Sequence, residues 1–155
     1  MKIIETSITI RASVDHVWMM LTDLDSYKNW NPFIVFARGH LVVGQPLWLR
    51  RAADVSILYK GMLTVINPDN HTLSWITCWI TPLLLSTVYH FTLEPVDLDF
   101  IRFTQRETLS GLIPMILRPA RLSTLQSYMV AANKALKRLA ENKQYPLPGL
   151  WTTAS

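Results

Sequence analysis

The chain has 155 residues and a mass of 17.8 kDa, the size of one domain with room for a substantial core. Half of the residues are hydrophobic, 17% are charged and the mean hydropathy is +0.19, which excludes a disordered or low-complexity chain. Apolar runs as short as Leu83-Leu84-Leu85 exclude a transmembrane helix, and 15 basic against 11 acidic residues leave +4, too mild to announce a nucleic-acid partner.

Residues 1–5 begin as a strand that already carries an acid, without the apolar stretch and cleavage site of a signal peptide, so a cytoplasmic location is expected. Ile4, Ile8 and Ile10 share one face of that strand, with Glu5, Ser7 and Thr9 on the other. Ser13 is placed to cap a short helix whose apolar stripe is Val14, Val17, Trp18 and Leu21, ending at Thr22-Asp23. A second helical piece carries Leu24 and Tyr27 to Trp30, where Pro32 forces Asn31 into an extended path.

From Phe33 to Leu109 the pattern becomes β-rich, in six segments. Turn signals separate them at 43–46, 53–54, 67–70, 81–82 and 94–97. Connections this short cannot contain crossover helices, so the six strands form an antiparallel meander. After Ser110-Gly111, the residues Leu125, Tyr128, Met129, Ala132, Leu136 and Leu139 recur at the spacing of one long amphipathic helix. Pro114 and Pro119 interrupt its approach. We therefore expect a single domain over residues 1–145 and a flexible tail over 146–155, where Pro146, Pro148 and Gly149 stop the helix.

Strand parity brings chemistry inward. In the last strand Ile101, Phe103, Gln105, Glu107 and Leu109 share a face, so burying the apolar members drags Gln105 and Glu107 with them. A carboxylate removed from water must be paired, hydrogen-bonded or protonated. Tyr89, Phe91 and Leu93 agree in the preceding strand, with His90 turned outward, and Trp75 is assigned inward in the strand before it. A curved sheet on a long helix then encloses Trp30, Phe33, Trp75, Tyr89, Phe91, Phe103, Met115, Tyr128 and Met129, with Gln105, Glu107 and the tyrosine hydroxyls as polar anchors. That set fits either the lining of a small-molecule pocket or a filled aromatic core.

The remaining chemistry-bearing residues exclude more than they support. His16, His40, His71 and His90 lack the helical spacing of metal ligands. No nucleophile motif or phosphate loop occurs, so no metal and no cofactor is expected. Cys78 is expected to face away from the pocket as a small buried hydrophobe, with a reactive thiol as the alternative; alone it makes neither an internal disulfide nor a cysteine zinc cluster. Arg118, Arg121, Lys134, Lys137, Arg138 and Lys143 against Glu141 form a basic last helix. It is either a solvated face or a surface for transient contact with an anionic membrane. Nucleic acid is not expected, since aromatics do not interleave with these bases.

The order of elements resembles the helix-grip fold of the START-like, or SRPBCC, superfamily, and local motifs agree with it. Residues 8–18, ITIRASVDHVW, are similar to the family's opening strand and helix start. Residues 27–34, YKNWNPFI, resemble its turn into the second strand. Leu73-Ser74-Trp75, residues 90–95 (HFTLEP) and residues 103–112 (FTQRETLSGL) resemble later segments, and the closest flavour is the polyketide cyclase/dehydrase-like group. In place of the usual glycine-rich turn before the last strand stands Val96-Asp97-Leu98-Asp99, which leaves that hairpin's register open. The resemblance implies an α+β helix-grip fold, a seven-stranded curved antiparallel sheet around a long C-terminal helix, with two short helices after the first strand. It implies binding of a hydrophobic small molecule (a lipid, polyketide or aromatic metabolite) between sheet and helix. The alternatives are a cyclase or dehydratase with Glu107 as acid or base, and a protein-interaction module with a filled core. Glu107 itself fits three roles: acid/base, polar anchor for a ligand, or a structural carboxylate near the helix start.

Overall fold

A computed structural model describes residues 1–142. Lys143 and the expected tail over 146–155 lie outside the described residues. Seven strands form one antiparallel sheet in the order β1-β7-β6-β5-β4-β3-β2: β1 (Lys2–Ile10), β2 (Ile34–Gly39), β3 (Pro46–Arg51), β4 (Tyr59–Asn67), β5 (Thr72–Trp79), β6 (Leu85–Pro95) and β7 (Ile101–Ser110). The helices are α1 (Val14–Thr22), α2 (Tyr27–Trp30), α3 (Ile113–Ile116) and α4 (Pro119–Glu141). The sheet curls into a half-barrel around α4, helped by register shifts between Ile34 and Phe36 and between Leu63 and Val65, since bulges bend and twist a strand.

Local chemistry explains the boundaries. The Ser13 hydroxyl accepts from the His16 N–H at 3.3 Å, satisfying one of the free amides at the start of α1. Asn31 leaves helical geometry at φ −89°, ψ 108°, and its side-chain oxygen accepts from the Phe33 and Ile34 amides, each at 2.9 Å. That turn aims β2 back onto the sheet. The hairpin lacking the glycine-rich turn closes through Asp97, whose carboxylate accepts from the Asp99 and Phe100 amides at 2.9 and 3.0 Å. An aspartate can build a turn with its own side chain, and the register is then regular, with Glu94 opposite Arg102.

Alternation is regular on β6 and β7 and is broken on β5 by buried Ser74, whose hydroxyl donates to the Tyr89 carbonyl at 2.8 Å. Leu73, Trp75 and Thr77 are buried on β5, Tyr89, Phe91 and Leu93 on β6, and Ile101 through Leu109 at every second residue on β7. Trp79 shares that parity but is 37% exposed, at the last position of β5. Leu125, Met129, Ala132, Asn133, Leu136 and Ala140 form the buried face of α4. The two proline breaks are resolved as α3 with Pro114 in its first turn and as Pro119 opening α4.

Two polar devices seat the helix. The Gln105 amide donates to the Met129 carbonyl at 2.7 Å and to the Asn133 side chain, which in turn donates to Thr6 at 3.1 Å. Lys137 donates to the Thr9 carbonyl at 2.7 Å, and Glu141 accepts from the Arg11 amide at 2.9 Å. The C-terminal turns of α4 are thereby clamped to the far end of β1. The strand directions define two ends of the half-barrel. The hairpin β6–β7 and the C-terminus of α4 lie at one, and the β5–β6 hairpin, α3 and the start of α4 lie at the other.

Candidate functional site

The expected aromatic set comes together, but as filling. Trp75 packs on Phe91 with ring centroids 4.9 Å apart and on Tyr89 at 5.7 Å. Phe91 stacks on Phe103 at 6.2 Å, and Phe33 stacks on Tyr128 at 6.4 Å. With Met129 they occupy the space between sheet and helix. Trp30 is elsewhere: its indole N–H donates to Ser26 at 3.2 Å and its ring meets Tyr27 edge-on, beside a shallow cleft against Arg138 and Leu139. Met115 is exposed on α3. Gln105, expected as a ligand anchor, has its amide committed to α4.

A pocket of about 190 Å³ lies next to this filling, toward the β5–β6 hairpin, α3 and the start of α4. Ile57, Trp79, Leu85, Leu109, Ile113, Leu117 and Leu125 make its apolar walls. Arg51, Asp54, Tyr59 and Arg121 supply its polar side. None of the residues expected to line a cavity lines this one; apart from Trp30 and exposed Met115, they belong to the buried filling beside it.

Arg51, which the sequence reading did not single out, organises the polar side. It is the last residue of β3, in phase with buried Leu47 and Leu49, so alternation turns it inward. Its Nη2 donates to the Asp54 carboxylate at 2.6 Å and to the Tyr59 hydroxyl at 2.9 Å. Its Nη1 donates to Glu107 at 3.3 Å and lies 3.4 Å from the Tyr89 hydroxyl. The guanidinium also sits 4.7 Å from the Tyr59 ring centre, a cation–π placement. Asp54 follows three residues later on a single helical turn and accepts from Tyr59 at 3.2 Å and from Arg121 on α4 at 3.2 Å. Tyr59 faces in because it shares the parity of buried Leu63. The signal for both residues was the same alternation that revealed Glu107.

Glu107 lies fully buried under Arg51, directly across the strand pair from Tyr89. Burial raises its pKa, the Arg51 charge opposes the rise, and the result is about 7. Burial also raises the Tyr89 and Tyr59 hydroxyls, so both stay protonated. For Arg51 burial works against the charge but its neighbours Tyr89, Glu107, Tyr59 and Asp54 outweigh it, so the guanidinium stays charged. Among the described residues the Arg51 Nε, the Glu107 Oε2 and the Trp75 Nε1 are buried with no hydrogen-bond partner. The first two belong to this cluster, whereas the polar groups under α4 are connected. The site can hold an oxygen-bearing group against a fixed positive charge while surrounding the rest of the molecule with aliphatic surface.

The family model for "Polyketide cyclase / dehydrase and lipid transport" matches residues 1–142. The chain belongs to this family. The family's fold is also that of several solved structures. A START superfamily protein from Mycobacterium smegmatis superposes with a TM-score of 0.70 at 14% identity, over 90% of this chain and 97% of that one. An aromatase/cyclase from Streptomyces sp. R1128 superposes at 0.66 with 17% identity, over 90% and 93% of the two chains. Norcoclaurine synthase from Thalictrum flavum does so at 0.67 with 12% identity, over 89% and 85%. No curated protein matches the sequence. Identities this low carry the shared architecture, and the cyclase/dehydrase family membership rests on the match over 142 residues.

Proposed function

We propose that this cyclase/dehydrase family member binds a small hydrophobic molecule with one polar oxygen function in the pocket above Arg51. The observation that carries the reading is the pocket's division: seven apolar walls and a polar side built on a buried, permanently charged guanidinium. Such sites combine apolar enclosure with a few oriented polar groups. A cavity of roughly 150 Å³ holds a benzene ring, so about 190 Å³ suits a compact ring compound or a short aliphatic chain.

Glu107 favours binding over catalysis. A carboxyl with a pKa of about 7 is suited to acid–base work, yet Arg51 stands between it and the pocket. In this reading Glu107 and Tyr89 hold Arg51 in place, and Arg51 and Tyr59 meet the ligand. Native mass spectrometry of protein purified under mild conditions is expected to show a retained small molecule. Titration with aromatic and aliphatic alcohols, ketones and acids is expected to change the Trp79 fluorescence. Tyr59→Phe should weaken that binding about threefold to tenfold, the worth of one hydrogen bond, while Glu107→Gln should leave it nearly intact. A protein that retains nothing and responds to none of these probes overturns the reading.

A further inference from the structure

We propose that the rim of the pocket docks on an anionic membrane surface. Ile80, Leu83, Leu112, Met115 and Ile116 are between 52% and 81% exposed, and they belong to one place. The Leu112 and Ile113 amides donate to the Leu83 and Leu84 carbonyls, each at 3.0 Å, joining α3 to the β5–β6 hairpin. Gly111 makes the junction possible: its φ is +108°, and a β-carbon there would lie 2.6 Å from the Leu84 carbonyl oxygen. Ile80 is held at φ +63°, a conformation that β-branched residues rarely adopt, and its side chain stands out from the hairpin tip. Trp79, Ile113 and Leu117, the immediate neighbours of these residues, line the pocket. The exposed aliphatics therefore ring its mouth. Clusters of this kind on a surface mark contact with another apolar phase.

Charge selects that phase. Residues 76–93 and 108–117 contain no Asp, Glu, Lys or Arg, and the chain then continues with Arg118 and Arg121. Arg50, on the outer face of β3 next to Arg51, donates to the Val55 carbonyl at 2.9 Å, with Val55 itself exposed. The acid at the mouth, Asp54, is neutralised by Arg51 and Arg121. Glu94, Asp97 and Asp99 sit at the opposite end of β6, roughly 33 Å away for a strand of this length. Aliphatic tips flanked by arginines match the boundary between acyl chains and anionic headgroups. A symmetric self-contact would set the same arginines against one another.

Of the basic last helix, only the start, with Arg118 and Arg121, belongs to this surface. Arg121 and Lys137 are about 24 Å apart along α4, and Lys137 is committed to the Thr9 carbonyl and Glu141. The bases of the helix are therefore split between the two ends of the molecule. Docking at the rim would deliver an apolar ligand to the pocket without passage through water, though the surface stands on its own whether or not the pocket is filled.

The test is co-sedimentation of the full chain with vesicles of phosphatidylcholine alone and of phosphatidylcholine mixed with phosphatidylserine. The mixed vesicles are expected to bind the protein, less as salt rises. Met115→Ser combined with Ile116→Ser should reduce binding at least about tenfold, because insertion scales with buried apolar area. Arg118→Gln should reduce it about fivefold, the worth of one basic residue near such a surface. All these side chains are exposed, so unchanged melting is expected and separates loss of docking from loss of fold. Lys134→Gln with Arg138→Gln, at the other end of α4, should leave binding unchanged. Absence of binding to either vesicle, binding that survives the double serine substitution, or binding that follows Lys134 and Arg138 overturns the proposal. So does self-association in analytical ultracentrifugation that the serine substitutions abolish, which would give the surface to a second copy.

Discussion

The two ends of the half-barrel are built from the same strands and treat buried polar groups in opposite ways. At the closed end Gln105, Asn133 and Thr6 form a chain that ends on the Met129 carbonyl, under a layer of stacked aromatics. At the open end Arg51 gathers two carboxyls and two tyrosines, and two of the three unpartnered buried polar atoms among the described residues lie there, the third being the Trp75 Nε1 in the aromatic layer. A connected buried network specifies one arrangement, whereas an incompletely satisfied one costs stability and is kept where something else uses it. The difference separates the part of the molecule that holds the fold from the part that can receive a ligand.

The largest expected effects come from cutting each end once. Arg51→Leu leaves Glu107 and Asp54 without their shared cation and should cost about 3–5 kcal/mol at pH 8. Phe91→Ala, in the aromatic layer, should cost a similar amount, about 3–5 kcal/mol, through the cavity it creates. Urea unfolding at two pH values tells the ends apart. The Arg51→Leu deficit should shrink at pH 5, where Glu107 is neutral, and the Phe91→Ala deficit should not move. Equal pH behaviour of the two variants would remove the distinction.

Next in size is the pH dependence of the native protein itself. Glu107 has a folded pKa of about 7 against an ordinary value of 4.5, so the folded state binds more protons across that interval. Stability from this group is fully present below pH 4.5 and is lost as pH rises through 7. At 1.36 kcal/mol per unit the loss is at most about 3 kcal/mol. Glu107→Gln should flatten that interval of the stability curve, and an unchanged slope in the variant would show that another group titrates there.

Parity of single strands made Glu107 and Gln105 visible, and it made the antiparallel meander and the long helix visible through spacing and turn residues. The same rule applied to Leu47, Leu49 and Arg51 places Arg51 beside Glu107, yet a strand with two adjacent arginines reads as a solvated edge unless the buried carboxyl is already in mind. Whether the enclosed aromatics line a hollow or fill it depends on side-chain volumes across elements tens of residues apart, which alternation does not contain. Gln105 shows the limit well. Its face was legible, but its partners Met129 and Asn133 lie 24 and 28 residues away on a helix whose rotation only packing sets.

Asn133→Leu tests the closed end at a smaller scale. It removes the acceptor of one Gln105 amide hydrogen and the donor to the Thr6 hydroxyl, while the Gln105–Met129 bond stays, and should cost about 1–3 kcal/mol, without pH dependence between 5 and 8. A neutral substitution would mean that apolar packing of α4 alone sets its position.

The smallest expected change in stability is at the mouth of the pocket. Arg121 is half-exposed and its pair with Asp54, at 3.2 Å, should be worth no more than about 1 kcal/mol. Arg121→Gln therefore leaves global unfolding nearly unchanged. Asp54 keeps Arg51 and Tyr59 as partners, so the polar side of the pocket stays assembled. What the pair does is tie the turn at Ala52–Asp54 to the start of α4 across the opening, a connection that no backbone hydrogen bond duplicates among the described residues. Its loss should appear as faster amide hydrogen exchange at Ile57, whose N–H is held only by the Asp54 carbonyl at 2.9 Å, with the β6–β7 pairing unaffected. Faster exchange there without a fall in unfolding free energy would make the Asp54–Arg121 contact a latch on the open end. Uniform exchange would make it one more surface ion pair.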